Sequence, residues 1–260
     1  MKHVYLSPHL DDAVLSCGGT IHRQISAGDE VSVITVFAGE YQGDQPSPFA
    51  LEQHGYWGNP RLPMALRRTE DVAALDLLGA RFHHLDFLDA VYRAGAPDQW
   101  LYPDVEALFG HLHPDDALGQ NRSLGLAERL AGMISSDHPL IYAPLGVGRH
   151  VDHQIVHSAS RWLQEQGRRL AYYEDYPYAE RPGALESALA LARAQTWRME
   201  TIALNAEDLA AKIAALGFYK TQLSILFGGA EAMPGRIRDF AASRSPQQGF
   251  AERIWWPVEA

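Results

Sequence analysis

Apolar and polar positions along the chain fall into two rhythms that follow one another. Val4 to Ser7 is a short apolar run, Ala13 to Ala27 carries helical spacing closed by Gly28, and Val31 to Phe37 is rich in β-branched residues. The outer two read as strands and the middle one as a helix, a βαβ opening. Gly39 to Pro63 holds clusters such as Gln45-Pro46-Ser47-Pro48 and Gly58-Asn59-Pro60 and reads as a long loop. Leu66 to Leu78 is a helix stopped by Gly79, and Arg81 to Leu85 a strand. Ser123 caps a helix running to Ile134, Leu140 to Ala143 is a buried strand ended by Pro144, and Val151 to Gln166 is a helix. A strand from Leu170 to Tyr173, an Ala-rich helix from Ala184 to Ala194 and a helix from Ala206 to Tyr219 continue the alternation.

Strands alternating with helices predict an α/β fold, Rossmann-like, with a mostly parallel sheet and helices on both faces. We expect one domain over residues 1–260, with 39–63 as an active-site loop and 224–260 as a C-terminal extension. Ligands of such sheets sit beyond the carboxyl ends of the strands.

Composition narrows the function. With 260 residues, 47% of them hydrophobic, the chain can bury one sizeable core. A net charge of −10 argues against nucleic acid or an anionic membrane surface as partner, since both rely on clustered Lys and Arg. No stretch reaches the roughly 18 apolar residues needed to span a bilayer. The first apolar run is interrupted by Pro8, His9, Asp11 and Asp12, unlike a signal peptide. Cys17 is the single cysteine, so no internal disulfide can form, which fits a reducing compartment. A cytoplasmic protein acting on a small molecule is expected; the oligomeric state is left open.

Two clusters carry chemistry. Ser7-Pro8-His9-Leu10-Asp11-Asp12 directly follows the first strand, and His150-Val151-Asp152-His153 follows the strand ending at Ala143 and the turn Gly146-Val147-Gly148. Three His and three Asp should thus reach one crevice. A catalytic zinc favours nitrogen and oxygen ligands with an open position for water. Two His and one Asp meet that need and leave an acid and an imidazole as proton carriers. Alone, the first cluster is equally a capped helix start; joined to the second it points to metal-assisted amide hydrolysis. A dinucleotide-binding reading fails because Gly18-Gly19 lies deep in the helix and no GxGxxG occurs. A metal-binding but non-catalytic sugar-binding or scaffold protein is the rival from another class, and a hydrolase of a non-sugar amide the rival within enzymes.

These residues resemble the PIG-L or LmbE-like N-acetylglucosaminyl deacetylases, whose signatures are a His-Pro-Asp-Asp element after the first strand and a His-x-Asp-His element. The resemblance runs from Val4 to about Leu223. It includes Arg67-x-x-Glu70-x-x-x-Ala74-x-x-x-Leu78-Gly79, and Lys212 to Gln222 is similar to the family's late Lys/Tyr/Gln helix. The resemblance implies zinc-dependent removal of an N-acetyl group from an amino sugar or N-acetylglucosaminyl conjugate. It implies one zinc per chain on His9, Asp12 and His153, Asp11 as general base, and His150 as acid or oxyanion stabiliser. Asp152 would orient a neighbouring imidazole; Arg67, and as a further candidate Asp89, would contact substrate hydroxyls. Iron, cobalt or nickel also suit such a ligand set. Three positions depart from the family: Leu10 replaces the usual Pro, Ala13 stands where Glu is common, and Gly148 stands where some members place a Tyr. Oxyanion help from that Tyr is therefore absent or comes from elsewhere.

The remaining signals read more plainly. His113-Pro114-Asp115-Asp116 matches the first signature more literally, but no clean strand precedes it, so it reads as a loop or helix start. His157 shares a helical face with His153 and is read as lying outside the site. Arg67 and Arg68 open a helix, where positive charge opposes the dipole, which favours a functional reason for one of them. Tyr172-Tyr173-Glu174-Asp175-Tyr176-Pro177-Tyr178 follows a strand and reads as pocket wall.

Overall fold

The computed structural model describes residues 1–96, 99–120, 124–134, 137–191 and 196–258. In chain order the elements are β1 (Lys2–Ser7), α1 (Asp12–Ser26), β2 (Glu30–Thr35), α2 (Pro48–Tyr56), α3 (Pro63–Leu78), β3 (Arg81–His84), α4 (Val105–Leu108), α5 (Ala117–Gln120), α6 (Leu124–Met133) and β4 (Leu140–Pro144). They continue with α7 (Val151–Glu165), β5 (Leu170–Tyr173), α8 (Ala184–Leu191), β6 (Thr196–Leu204), α9 (Ala206–Leu216), α10 (Lys220–Phe227), α11 (Met233–Arg244) and β7 (Phe250–Val258).

Among the described residues one seven-stranded sheet runs in the order β3-β2-β1-β4-β5-β7-β6, parallel from β3 to β5, with β7 antiparallel to both of its neighbours. Its central strands are near-continuous apolar runs because helices cover both faces. Every residue of β4 is buried, as is every residue of β1 after Lys2. Tyr5 pairs with Tyr142 across these two strands, and their rings stack at 4.4 Å. The chain builds outward from β1 through β2 to β3, then returns to β1's other side for β4 and β5. That reversal opens a crevice at the carboxyl ends of β1 and β4.

The α/β prediction agrees with this sheet, while several boundaries differ. Residues 39–63 are not all loop: Ser47 accepts from the Ala50 amide (2.9 Å) and Pro48 takes the first helical position, so a residue read as a breaker starts α2. A proline in the first helical position likewise starts α3, at Pro63 rather than Leu66, here without a side-chain cap. The helix from Ala206 stops at Leu216 instead of Tyr219, and Lys212 to Gln222 spans two helices. The expected C-terminal extension contributes β7, which lies inside the sheet between β5 and β6. Both late strands escaped the sequence reading because their apolar alternation is broken, in β7 by Glu252, buried as the partner of Lys212 (2.6 Å). Ser123 and residues 192–194 lie outside the described residues. Among the described residues no helix is long and apolar enough to cross a membrane.

Candidate active site

After β1 the chain turns sharply into α1. The Ser7 hydroxyl donates to the His9 carbonyl (2.7 Å) and accepts from the Ala13 amide (3.0 Å), and Asp12 accepts from the His9 amide (2.8 Å). After β4 the turn uses positive φ at Gly146, Gly148 and Arg149, and His150 then caps α7 through Nδ1, which accepts from the Asp152 amide (3.2 Å). Because β1 and β4 are parallel neighbours, both turns open on the same crevice.

His9, Asp11, Asp12, His150, Asp152 and His153 are all buried there. Asp12 Oδ2 lies 3.0 Å from His9 Nδ1 and 3.2 Å from His153 Nε2. The opposite nitrogens face further carboxylates: His9 Nε2 meets Asp152 Oδ2 at 2.9 Å, and His153 Nδ1 meets Asp175 Oδ1 at 2.6 Å. Carboxylates behind imidazoles in this way fix the tautomer and turn the remaining nitrogen towards a metal. Among the described residues His153 Nε2 is buried with no hydrogen-bond partner, its 3.2 Å approach to Asp12 Oδ2 being an ion-pair distance only, and it is the atom such an ion would take. One nitrogen each of His9, His150 and His153 lies within 4.8 Å of the others, and His9, Asp89 and Asp152 form an overlapping group. The donor set therefore fits a divalent cation.

Electrostatics supports that fit. Burial opposes charge on His9, but Asp89, Asp12 and Asp152 outweigh it and hold its pKa well above the ordinary histidine range. His153 is likewise raised to about 9, burial being overcome by Asp12 and Asp175. A cation between the imidazoles would answer the same excess of carboxylate in place of those protons. Asp11 is raised as well, here in favour of its neutral form: burial and the neighbouring Asp12 push its carboxyl up to about 7, against the pull of Arg67. His150 lies well below the usual range through burial and the adjacent His9, so its ring is neutral. With Nδ1 accepting a backbone amide, its proton sits on Nε2.

The other predicted residues are close by. Arg67 Nη2 lies 3.6 Å from Asp11 Oδ2, and its guanidinium sits over the Trp57 ring at 4.9 Å. With its amide oxygen turned towards them, Gln222 accepts from Arg67 Nε (3.3 Å) and Trp57 Nε1 (3.1 Å). Asp89 lies 3.7 Å from His9 Nε2 and lines the same cavity. Arg68 instead reaches the Ala38 carbonyl (2.5 Å). His157 stays apart, its Nδ1 donating to the Pro144 carbonyl (2.9 Å).

Asp175 and Arg93 were missed. Asp175 follows β5 at the carboxyl edge and could have been found by the strand-end rule; Arg93 carried no spacing signal. The stretch Tyr172 to Tyr178 divides: Tyr172, Tyr173 and Tyr176 are core, while Pro177 and Tyr178 line the cavity. Asp116, from the second His-Pro-Asp-Asp, is a buried partner of Arg93 rather than a ligand (3.1 Å). The cavity has a volume of about 1010 Å³, and its apolar lining includes Phe49, Tyr56, Leu108 and Ile225, with Phe109 packed edge-on to His150 at 5.2 Å.

Comparison with known proteins points the same way. A family model described as PIG-L, GlcNAc-PI de-N-acetylase, matches residues 4–163. The 2'-N-acetylparomamine deacetylase of Niallia circulans is 28% identical over 239 residues, covering 86% of this chain and 82% of that protein. A 1D-myo-inositol 2-acetamido-2-deoxy-alpha-D-glucopyranoside deacetylase of Mycobacterium sp. (strain KMS) is 24% identical over 252 residues, 87% of this chain and 75% of that one. The crystal structure of the zinc inhibited form of a teicoplanin deacetylase superposes with a TM-score of 0.86 at 30% identity, covering 100% of this chain and 99% of the other.

Proposed function

The chain belongs to the PIG-L family, is an N-deacetylase, and from that premise we propose that it removes an N-acetyl group from an amino-sugar conjugate with one zinc ion per chain. The observation that carries the reading is the approach of His9 Nδ1 (3.0 Å) and His153 Nε2 (3.2 Å) to one oxygen of Asp12, with His9, Asp12, Asp11 and His150 lining a single cavity. His9, Asp12 and His153 would hold the ion, which when bound polarises the acyl carbonyl and brings water's pKa to about 7.

The protein groups do the rest. Asp11 takes a proton from the attacking water as its oxygen bonds to the acyl carbon. His150 donates Nε2–H to the oxygen that becomes negative, a preorganised donor in a site shielded from water. When the C–N bond breaks, the proton returns from Asp11 to the amine, leaving acetate and a free amino sugar. Asp152 and Asp175 keep the two imidazoles turned inward, and Arg67 and Asp89 contact sugar hydroxyls.

A volume of about 1010 Å³ exceeds what one sugar fills and matches the upper range of pockets for drug-sized ligands. The acetamido sugar therefore lies by Asp11 and His150, and a bulky, partly apolar aglycone against lining residues such as Phe49, Tyr56 and Ile225. The test is metal content together with amine release from N-acetylglucosamine and from its aryl and alkyl glycosides, for the parent and Asp12→Ala. One zinc per chain, lost with activity in the variant, supports the reading; a metal-free chain with full activity overturns it.

A further inference from the structure

Both oxygens of the wholly buried Asp152 are engaged. Oδ2 accepts from His9 Nε2 (2.9 Å) and the Ala90 amide (3.0 Å), and Oδ1 accepts from Arg93 Nη1 (2.6 Å). Arg93 is itself fixed: its Nε donates to Asp116 Oδ2 (3.1 Å) and its Nη1 also to the Leu88 carbonyl (3.0 Å). Its guanidinium lies over the rings of Phe37 and Tyr102 at 5.1 and 5.2 Å. Asp116 is held in turn by the Tyr102 hydroxyl (2.8 Å) and the Leu118 amide (3.0 Å). A line of contacts thus runs from Tyr102 and Asp116 through Arg93 and Asp152 to His9. Arg93 is not among the residues lining the cavity, so it stands behind the site rather than against substrate.

The geometry matters because His9 must present one nitrogen and only one direction. With Nε2–H given to Asp152, Nδ1 faces Asp12. A carboxylate gripped on one oxygen alone can rotate about its Cβ–Cγ bond. Arg93 grips the other oxygen, and a planar guanidinium held on several sides is a rigid brace, which an ammonium is not. We propose that Arg93, seated by Asp116, is a positioning residue that fixes Asp152 and through it the orientation of His9 towards the metal. The inference rests on the metal reading above. It also explains the second His-Pro-Asp-Asp of the sequence, whose last carboxylate anchors the brace behind the first.

The test is zinc affinity, read by competition with a chromogenic chelator, for the parent, Arg93→Met, Arg93→Lys, Asp116→Asn and Lys212→Met. The last removes a buried cation, paired with Glu252, outside the cavity and reports general loosening. Arg93→Met is expected to weaken zinc binding about 10- to 100-fold, in the range for outer partners of metal-bound His. Arg93→Lys should recover part of that and Asp116→Asn should lose several-fold, while Lys212→Met melts earlier but binds zinc as the parent does. If Arg93→Met fails to fold, the Arg93→Lys and Asp116→Asn values decide. Parent-like affinity in those two overturns the proposal, as does a Lys212→Met loss equal to theirs. A parent that binds no zinc refutes the metal reading itself.

Discussion

The ring of Tyr178 stands where a side chain at Gly148 would be: a Cβ on Gly148 would lie 2.5 Å from Tyr178 Cγ and 2.6 Å from its Cβ. Gly148 also has φ of 84°, a conformation that costs an L side chain about 1–2 kcal/mol. The missing side chain lets Tyr178 sit edge-on to His153, ring centroids 5.6 Å apart, and line the cavity. Gly148→Ala should therefore displace Tyr178, lower the melting temperature by at least about 2–4 °C, and reduce kcat/KM by about tenfold or more. Parent-like melting and kinetics in that variant would contradict the packing argument.

Asp11 is the group whose removal should separate chemistry from metal binding. Its Oδ2 lies 3.6 Å from Arg67 Nη2 and it is outside the proposed ligand set, so Asp11→Asn is expected to leave the ligands in place. kcat should fall by about 10² to 10⁴, the range for loss of a general base, with one zinc per chain retained. Metal analysis beside steady-state kinetics checks this, and loss of the ion from Asp11→Asn would move that residue into the ligand set.

Why was so much of this site legible while its supports were not? Each motif residue follows a strand whose apolar run marks it, and parallel neighbours place both motifs at one edge. Leu6 and Ala143 alone locate His9 and His150 to within a few residues. Asp175 obeys the same rule after Tyr173 but was hidden among aromatics that read as wall. Arg93 and Asp116 follow no strand and no period, and they meet only because the segment between β3 and β4 folds back over Phe37. The late strands were lost for a related reason: Glu252 is buried in β7 through a partner, Lys212, that lies forty positions away. Periodicity reports what faces the core, and it cannot report which distant group neutralises a buried charge.

Asp175 offers the matching test for His153. It is fully engaged, with Oδ1 on His153 Nδ1 (2.6 Å) and Oδ2 accepting from the amides of Gly146 and Val147 (both 2.9 Å). It therefore ties the imidazole to the turn that delivers it. Asp175→Asn should weaken zinc binding about 10- to 100-fold. Since an amide keeps the volume, the loss should appear in chelator competition before it appears in the far-ultraviolet spectrum of the folded chain. Unchanged affinity would mean that His153 is oriented by its helix alone.

Stability towards acid should be limited by histidines remote from the chemistry. His157 packs on the Tyr172 ring at 4.9 Å and donates to the Pro144 carbonyl; loss of hydration lowers its pKa below 6.5, although that carbonyl and Asp175 oppose the shift. His3, buried between Tyr142 and Asp29, is lowered for the same first reason. For a group whose folded pKa is depressed, the unfolded chain binds the proton first. Stability is thus fully present above pH 6.5 and declines as pH falls towards the folded value, by at most about 1.4 kcal/mol per pH unit for each such group. His157→Gln keeps a donor for Pro144 but cannot titrate, so its urea-unfolding free energy should change less than the parent's between pH 7.5 and 5.5. The difference should be larger still when His3→Gln is added. An identical decline in parent and double variant would assign the acid sensitivity to other groups, the carboxylates around His9 first among them.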